Sequence, residues 1–514
     1  MRSQLTARLI GSLLFAGILS LRPAAQKLVY AEPDRADNRR MNFEIIGKVG
    51  PHFLIYKNVR NQHWITALDN DMVQVGKVEQ DHLPINDRLI NIDFVAYPQQ
   101  AWMIYQHQKK NIVYCMAARV DANGKRTGEP FELDTSAVRS VSPQTVYTTL
   151  VSEDRKRILV FKVNSRNRRL FRLTTLLYND QLQLLRRSEL TIRMEERVET
   201  LGNFTIDNAG NLAFLKIHRA ANENIDQVVF HFKGAESDNI AESPLLLNQI
   251  WLDEPQLRVD NVNGRFLLAS LAYNERRGHV DGLYFCTWDR TAISDPRTSA
   301  YSFPPALRQE AKGEASVRTA FNDHFIRQVS IRKDGGWVIG TESYYTTSRF
   351  NTWNRWDYLY GSPYYFPNVS DFYYYSPYLN RYFFNDRPTG QSPVRHHADN
   401  IALLSFSRDG QPEWHSVINK SQFNDETEDL LSFHTFIVGG QLHYIMNMPE
   451  RKLNLLQDFA LGTGGDLIKN PTLRNLDRGY DLMPRYAKQV GAKQVLLPCI
   501  YRNYLCFAKI DYTP

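Results

Sequence analysis

Cysteine is scarce in this chain: its 514 residues include four. So few thiols cannot form the framework of a disulfide-stapled fold, so an apolar core must hold it. Long apolar runs are also missing. Outside the amino terminus there is no run of about 18 apolar residues, which excludes an internal membrane helix of ordinary length. Neither sign of charge dominates, with 62 Lys and Arg against 55 Asp and Glu. That mild excess gives no argument for nucleic acid as a partner. A Ser-centred elbow, a paired His and Cys, and a phosphate loop are absent too. Gly462-Thr463-Gly464-Gly465 lacks the Lys-Ser/Thr of such a loop and fits a hairpin turn. No catalytic residue, metal ligand set or cofactor site is assigned.

What is present starts at the amino terminus. Arg2 and Arg8 precede an apolar stretch at 9–21 and the small-residue site Pro23-Ala24-Ala25, the pattern of a secretory signal over residues 1–25. Its 13 residues are short for a membrane anchor. Cleavage before Gln26 removes three arginines, so the net charge falls from +7 to +4. The expectation is an exported protein, in the periplasm or on the outer cell surface, with no membrane span in the mature chain. Cys115 and Cys286 sit in apolar strand-like runs and read as buried thiols. If Arg502-Asn503 is a turn, Cys499 and Cys506 lie opposite each other on a hairpin. That is the wider-spaced, hydrogen-bonded kind of pair, which permits a disulfide without favouring one.

Beyond the signal, helical periodicity almost vanishes. Short apolar strands recur between polar turns with a period of roughly 50 residues, the pattern of propeller blades. The first unit reads 43–49, 52–59, 63–68 and 72–78. Later units begin near 90, 146, 205, 257, 325, 433 and 486, with a helix-compatible connector at 305–320. The last unit runs out of chain one strand short. Residues 27–31 suit the missing strand, because an unclosed ring leaves an unpaired edge. The expected fold is therefore all-β: a single propeller domain over 26–514 with eight four-stranded blades, seven being the alternative count. Stacked β-sandwiches are the competing all-β reading. Asp121 and Asp207, each three residues before a Gly, read as turn residues. The architecture resembles exported β-propeller proteins of Gram-negative envelopes, a resemblance that carries no site residues with it.

The sixth unit is interrupted. Residues 344–397 read as an insertion between its second and third strands, and 18 of the 41 positions in 344–384 are Tyr, Phe or Trp. In a propeller, that connection shares one face with the links between blades. Pro363, Pro367, Pro377 and Gly361 break any long helix, and Tyr373-Tyr374-Tyr375 defeats a one-faced strand. Rings of this kind bury roughly 150–250 Å² each. They either pack on themselves as a lid or form a recognition surface. The candidate ligand-binding residues are Tyr344, Tyr345, Trp353, Trp356, Tyr358, Tyr360, Tyr373, Tyr374 and Tyr375. The expected function is a non-enzymatic binding or scaffolding propeller that docks an envelope protein. The alternative is a glycan-binding or glycan-cleaving propeller, since sugar rings stack on the same side chains. His396-His397 with Asp399, and the acidic run Asp425, Glu426, Glu428 and Asp429, read as polar loops rather than metal sites.

Overall fold

A computed structural model describes residues 26–34, 41–84, 87–138, 145–167, 169–195, 198–219, 224–347, 352–353, 395–425, 427–450, 453–473, 479–502 and 504–512. Within them the chain forms eight antiparallel sheets, each built on a path of four strands, which make an eight-bladed propeller. Blade 1 is Asn42–Val49, His52–Val59, Gln62–Leu68 and Gln74–Glu79. Blades 2 to 5 follow in the same order over 88–137, 147–193, 199–244 and 251–302. Blade 6 is His324–Ile331, Trp337–Thr347, Arg395–Phe406 and Pro412–Asn424. Blade 7 spans 433–469.

Burial explains the strand sequences. The second strand of blade 5, Arg265–Tyr273, is buried at every position because both faces of its sheet meet a neighbouring blade. It therefore reads as a continuous apolar run rather than an alternating one. The fourth strand, Ala292–Ser302, lies at the rim and has no buried residue. The core is accordingly a ring. Among the described residues, each of the eight junctions between neighbouring blades holds one apolar cluster. At the junction of blades 5 and 6, for instance, Phe285 packs on Phe406 with ring centroids 4.6 Å apart.

Blade 8 closes the ring as the strand count requires. Gln494–Tyr501 and Tyr504–Asp511 pair with each other, and Lys27–Tyr30 pairs with Tyr504–Asp511 as the outer strand. The two ends of the described chain thus share one sheet, and the open edge disappears.

Four elements differ from the sequence reading. The first strands of blades 4 and 5 are Glu199–Ile206 and Trp251–Asp260, longer than the short runs starting at 205 and 257. Each contains a bulge, and Asn203 and Glu254 sit there at φ 56° and 54°. A bulge breaks the two-residue alternation, so the pattern shows only the half that follows it. In blade 8 the first strand is split into Tyr480–Leu482 and Lys488–Gly491 by a 3-10 turn at Pro484–Tyr486. Proline cannot donate to the ladder there. The connector's helix is Pro305–Ala311, shorter than 305–320. The turn aspartates behave as read: Asp207 Oδ1 accepts the Ala209 and Asn211 N–H groups at 2.9 Å, with Gly210 at φ 91°.

Candidate functional site

Blade 6 is extended at the face where second strands pass to third. Its second strand continues through Tyr344, Tyr345, Thr346 and Thr347, opposite Ala398, His397, His396 and Arg395. Thr352–Trp353 folds back beside Thr346 and Thr347 as a two-residue strand. The chain therefore leaves and re-enters the described blade at one place. Because side chains alternate, the extension has two distinct faces.

The face toward blade 7 carries charge. Glu342 is fully buried and meets the fully buried Lys420 at 2.9 Å and Arg327 at 3.3 Å. The Ser432 hydroxyl donates to it at 2.5 Å. Burial pushes the Glu342 carboxyl up, but Lys420 and Arg327 outweigh it, and the net shift is downward. Burial lowers the Lys420 ammonium, which also donates to the Ala398 carbonyl at 2.6 Å and to Gln422 at 2.9 Å.

One turn of the pleat further on, Tyr344 is buried against Phe325, Ala398 and Leu431. Its hydroxyl donates to Glu428 Oε2 at 2.8 Å, and His396 Nδ1 lies 2.9 Å from the Tyr344 hydroxyl oxygen. A phenol has one proton to give, so His396 must present Nδ1–H as donor. Glu428 is paired in turn with Arg485 at 2.7 Å. Burial opposes its charge, yet Arg485, the Tyr344 hydroxyl and Arg327 hold its carboxyl down at about 2. Arg327 also lies over the rings of Phe325 and Tyr344, 5.3 and 5.6 Å from their centroids. Because Arg327 stands on the first strand of blade 6, this chain of contacts runs from the innermost strands out to the extension.

The opposite face is aromatic. Tyr345 stacks on His397 with centroids 4.5 Å apart and planes at 7°. Its hydroxyl donates to Asp399 Oδ2 at 3.0 Å, and burial followed by the Asp399 charge pushes that hydroxyl's pKa up. Thr347 Oγ1 lies 3.0 Å from His397 Nε2, and burial lowers the imidazole. Arg395 pairs with Asp425 at 2.5 Å and lies over the Phe423 ring.

The two histidines therefore point to opposite sides of the strand. Asp425, Glu428 and Asp429 go to separate partners, Arg395, Arg485 and Tyr486. Among the described residues, no three His, Cys, Asp or Glu converge as metal ligands.

Of the candidate binding residues, Tyr344 and Tyr345 are engaged in these contacts, on opposite faces. Trp353 is described in backbone only, in the short strand. Trp356, Tyr358, Tyr360, Tyr373, Tyr374 and Tyr375 lie outside the described residues. The sequence reading missed Arg327, Glu342, Lys420 and Arg485. A signal for Glu342 was available: it is a lone carboxylate in the apolar second strand, where an unpaired charge is not tolerated.

No protein-family model matches the chain, and neither does any curated protein sequence. Similar solved structures have low identity. Prolyl oligopeptidase B from Galerina marginata shows 8% identity and a TM-score of 0.41, covering 91% of this chain and 56% of its own. The chain thus spans about half the length of that enzyme. Dihydro-heme d1 dehydrogenase NirN shows 12% identity and a TM-score of 0.37, with coverage of 93% and 73%. An alpha-L-arabinanase from Penicillium chrysogenum shows 9% and 0.30, with coverage of 84% and 96%.

Proposed function

We propose that this protein is an exported binding propeller, and that the aromatic-rich segment 348–394 is its docking surface for a protein of the cell envelope. The observation that carries the reading is how the segment's two ends are held. The Tyr344 hydroxyl on one side meets His396 on the other, Tyr345 stacks on His397, and Glu428 and Asp399 accept the two tyrosine hydroxyls. A ring-rich segment tied down at both ends loses less freedom on binding than a free loop of the same length. Tyr and Trp rings supply large amphipathic contact area. The titratable groups at its base favour holding over proton transfer. Glu342 and Glu428 stay ionised through their cation partners, and a carboxyl at about 2 is a poor proton donor near neutral pH.

The test replaces residues 348–394 with a short turn and compares capture of envelope proteins by the truncated and full-length chains. Thermal unfolding confirms that the truncated chain folds. Selective loss of specific partners is expected. Glycan-array binding abolished by Trp353→Ala or Trp356→Ala would replace this reading with the glycan-handling one.

A further inference from the structure

Cys499 and Cys506 are the two thiols of the closing blade, and the fold sets them face to face. They are antiparallel register partners on its second and third strands. Their sulfurs lie 2.9 Å apart, and both residues are buried, at 0% and 2% exposure. The Cys506 thiol also lies 3.4 Å from the Cys499 carbonyl oxygen. Directly opposed residues of an antiparallel pair have Cα atoms roughly 4.5–5.5 Å apart, inside the span of about 4.4–6.8 Å that a disulfide bridges. A sulfur–sulfur bond is about 2.05 Å long, so side-chain adjustment of under about 1 Å closes the gap. Cys115 and Cys286 lie in other blades, each in its own apolar cluster.

We propose that Cys499 and Cys506 are a modification site, a disulfide that staples the second and third strands of blade 8 before the amino-terminal strand docks on them. The oxidant is a protein disulfide of the thiol-exchange class. One cysteine thiolate attacks it, forming a mixed disulfide and releasing one oxidant thiolate. The other cysteine thiolate then attacks the mixed disulfide and releases the second. Each cysteine gives up one proton, and the two electrons leave with the oxidant as a dithiol.

Timing follows from burial. Burial pushes the Cys499 thiol well up, and its contact with Cys506 adds to this, so the reactive thiolate is scarce once the blade is packed. Oxidation therefore belongs to the open blade, before Lys27–Tyr30 covers Tyr504–Asp511. After closure the same burial shelters the bond from reductants. The stapled hairpin is the template on which the ring closes.

The test is independent of the docking reading. The full chain is reduced, unfolded, and refolded in a glutathione redox buffer. It is then denatured in excess N-ethylmaleimide without reductant and mapped by peptide mass. The expected result is an unlabelled Cys499–Cys506 pair, lighter than the dithiol by about 2 Da, with Cys115 and Cys286 labelled. Label on all four cysteines overturns the proposal. A Cys115→Ala/Cys286→Ala variant, holding this pair alone, is the second arm: no label supports the disulfide, and two labels overturn it.

Discussion

The charged side chains of Glu342 and Lys420 have no exposed surface; they hold each other, and Arg327 and Ser432 also hold Glu342. Removing one member of such a pair leaves the other buried and uncompensated. Lys420→Met is therefore expected to cost about 3–5 kcal/mol in a denaturant titration, and Glu342→Gln a similar amount. A Glu342→Leu/Lys420→Met double variant is expected to cost less than the two single changes together, because neither fully buried charge is left alone and the remaining cation, Arg327, is 30% exposed to water.

Acid unfolding should expose two further residues separately. The His434 imidazole is lowered by burial from 6.5 to about 4, so the folded protein binds fewer protons there than the unfolded chain. Its contribution is lost as pH falls from about 6.5 toward 4. The Glu428 carboxyl is lowered from 4.5 to about 2, so its stabilisation is present above the unfolded value and fades as pH falls from 4.5 toward 2. Stability measured against pH should lose the upper step in His434→Asn and the lower step in Glu428→Gln. Unchanged profiles would contradict these assignments.

Among the elements, the first strands show where the sequence was opaque. Glu254, at the bulge of blade 5, turns its carboxylate to the Ile326 N–H of blade 6 at 3.1 Å. Asn203 in blade 4 is similarly placed against the Leu257 N–H of blade 5, at 3.4 Å. Each positive-φ residue thus meets the free edge of the next blade's innermost strand. Glu254→Ala is expected to cost about 1–2 kcal/mol, from an unpaired N–H and an alanine held at positive φ, again read by denaturant titration.

The second strands were legible because burial on both faces writes a continuous apolar run. The bulged strands were half legible, since their signal depends on an alternation that the bulge resets. The Tyr344–Glu428–Arg485 chain was not legible at all. It joins residues 84 positions apart, and then a third from another blade, through register and ring closure that no local pattern records.

The whole molecule depends on closure. Lys27–Tyr30 supplies the outer strand of blade 8, and Leu28 and Val29 pack against the clusters on its two sides. Deleting residues 26–31 is expected to destabilise the propeller by on the order of 3 kcal/mol from lost apolar burial. It should also promote association through the bared strand edge, which size-exclusion chromatography would detect. The ring so closed presents the extension of blade 6, and the capture experiment with residues 348–394 replaced by a short turn tests its role most directly. The truncated chain should unfold at nearly the full-length midpoint while losing specific envelope partners. A folded truncated chain that still captures every partner of the full-length protein would contradict the docking role.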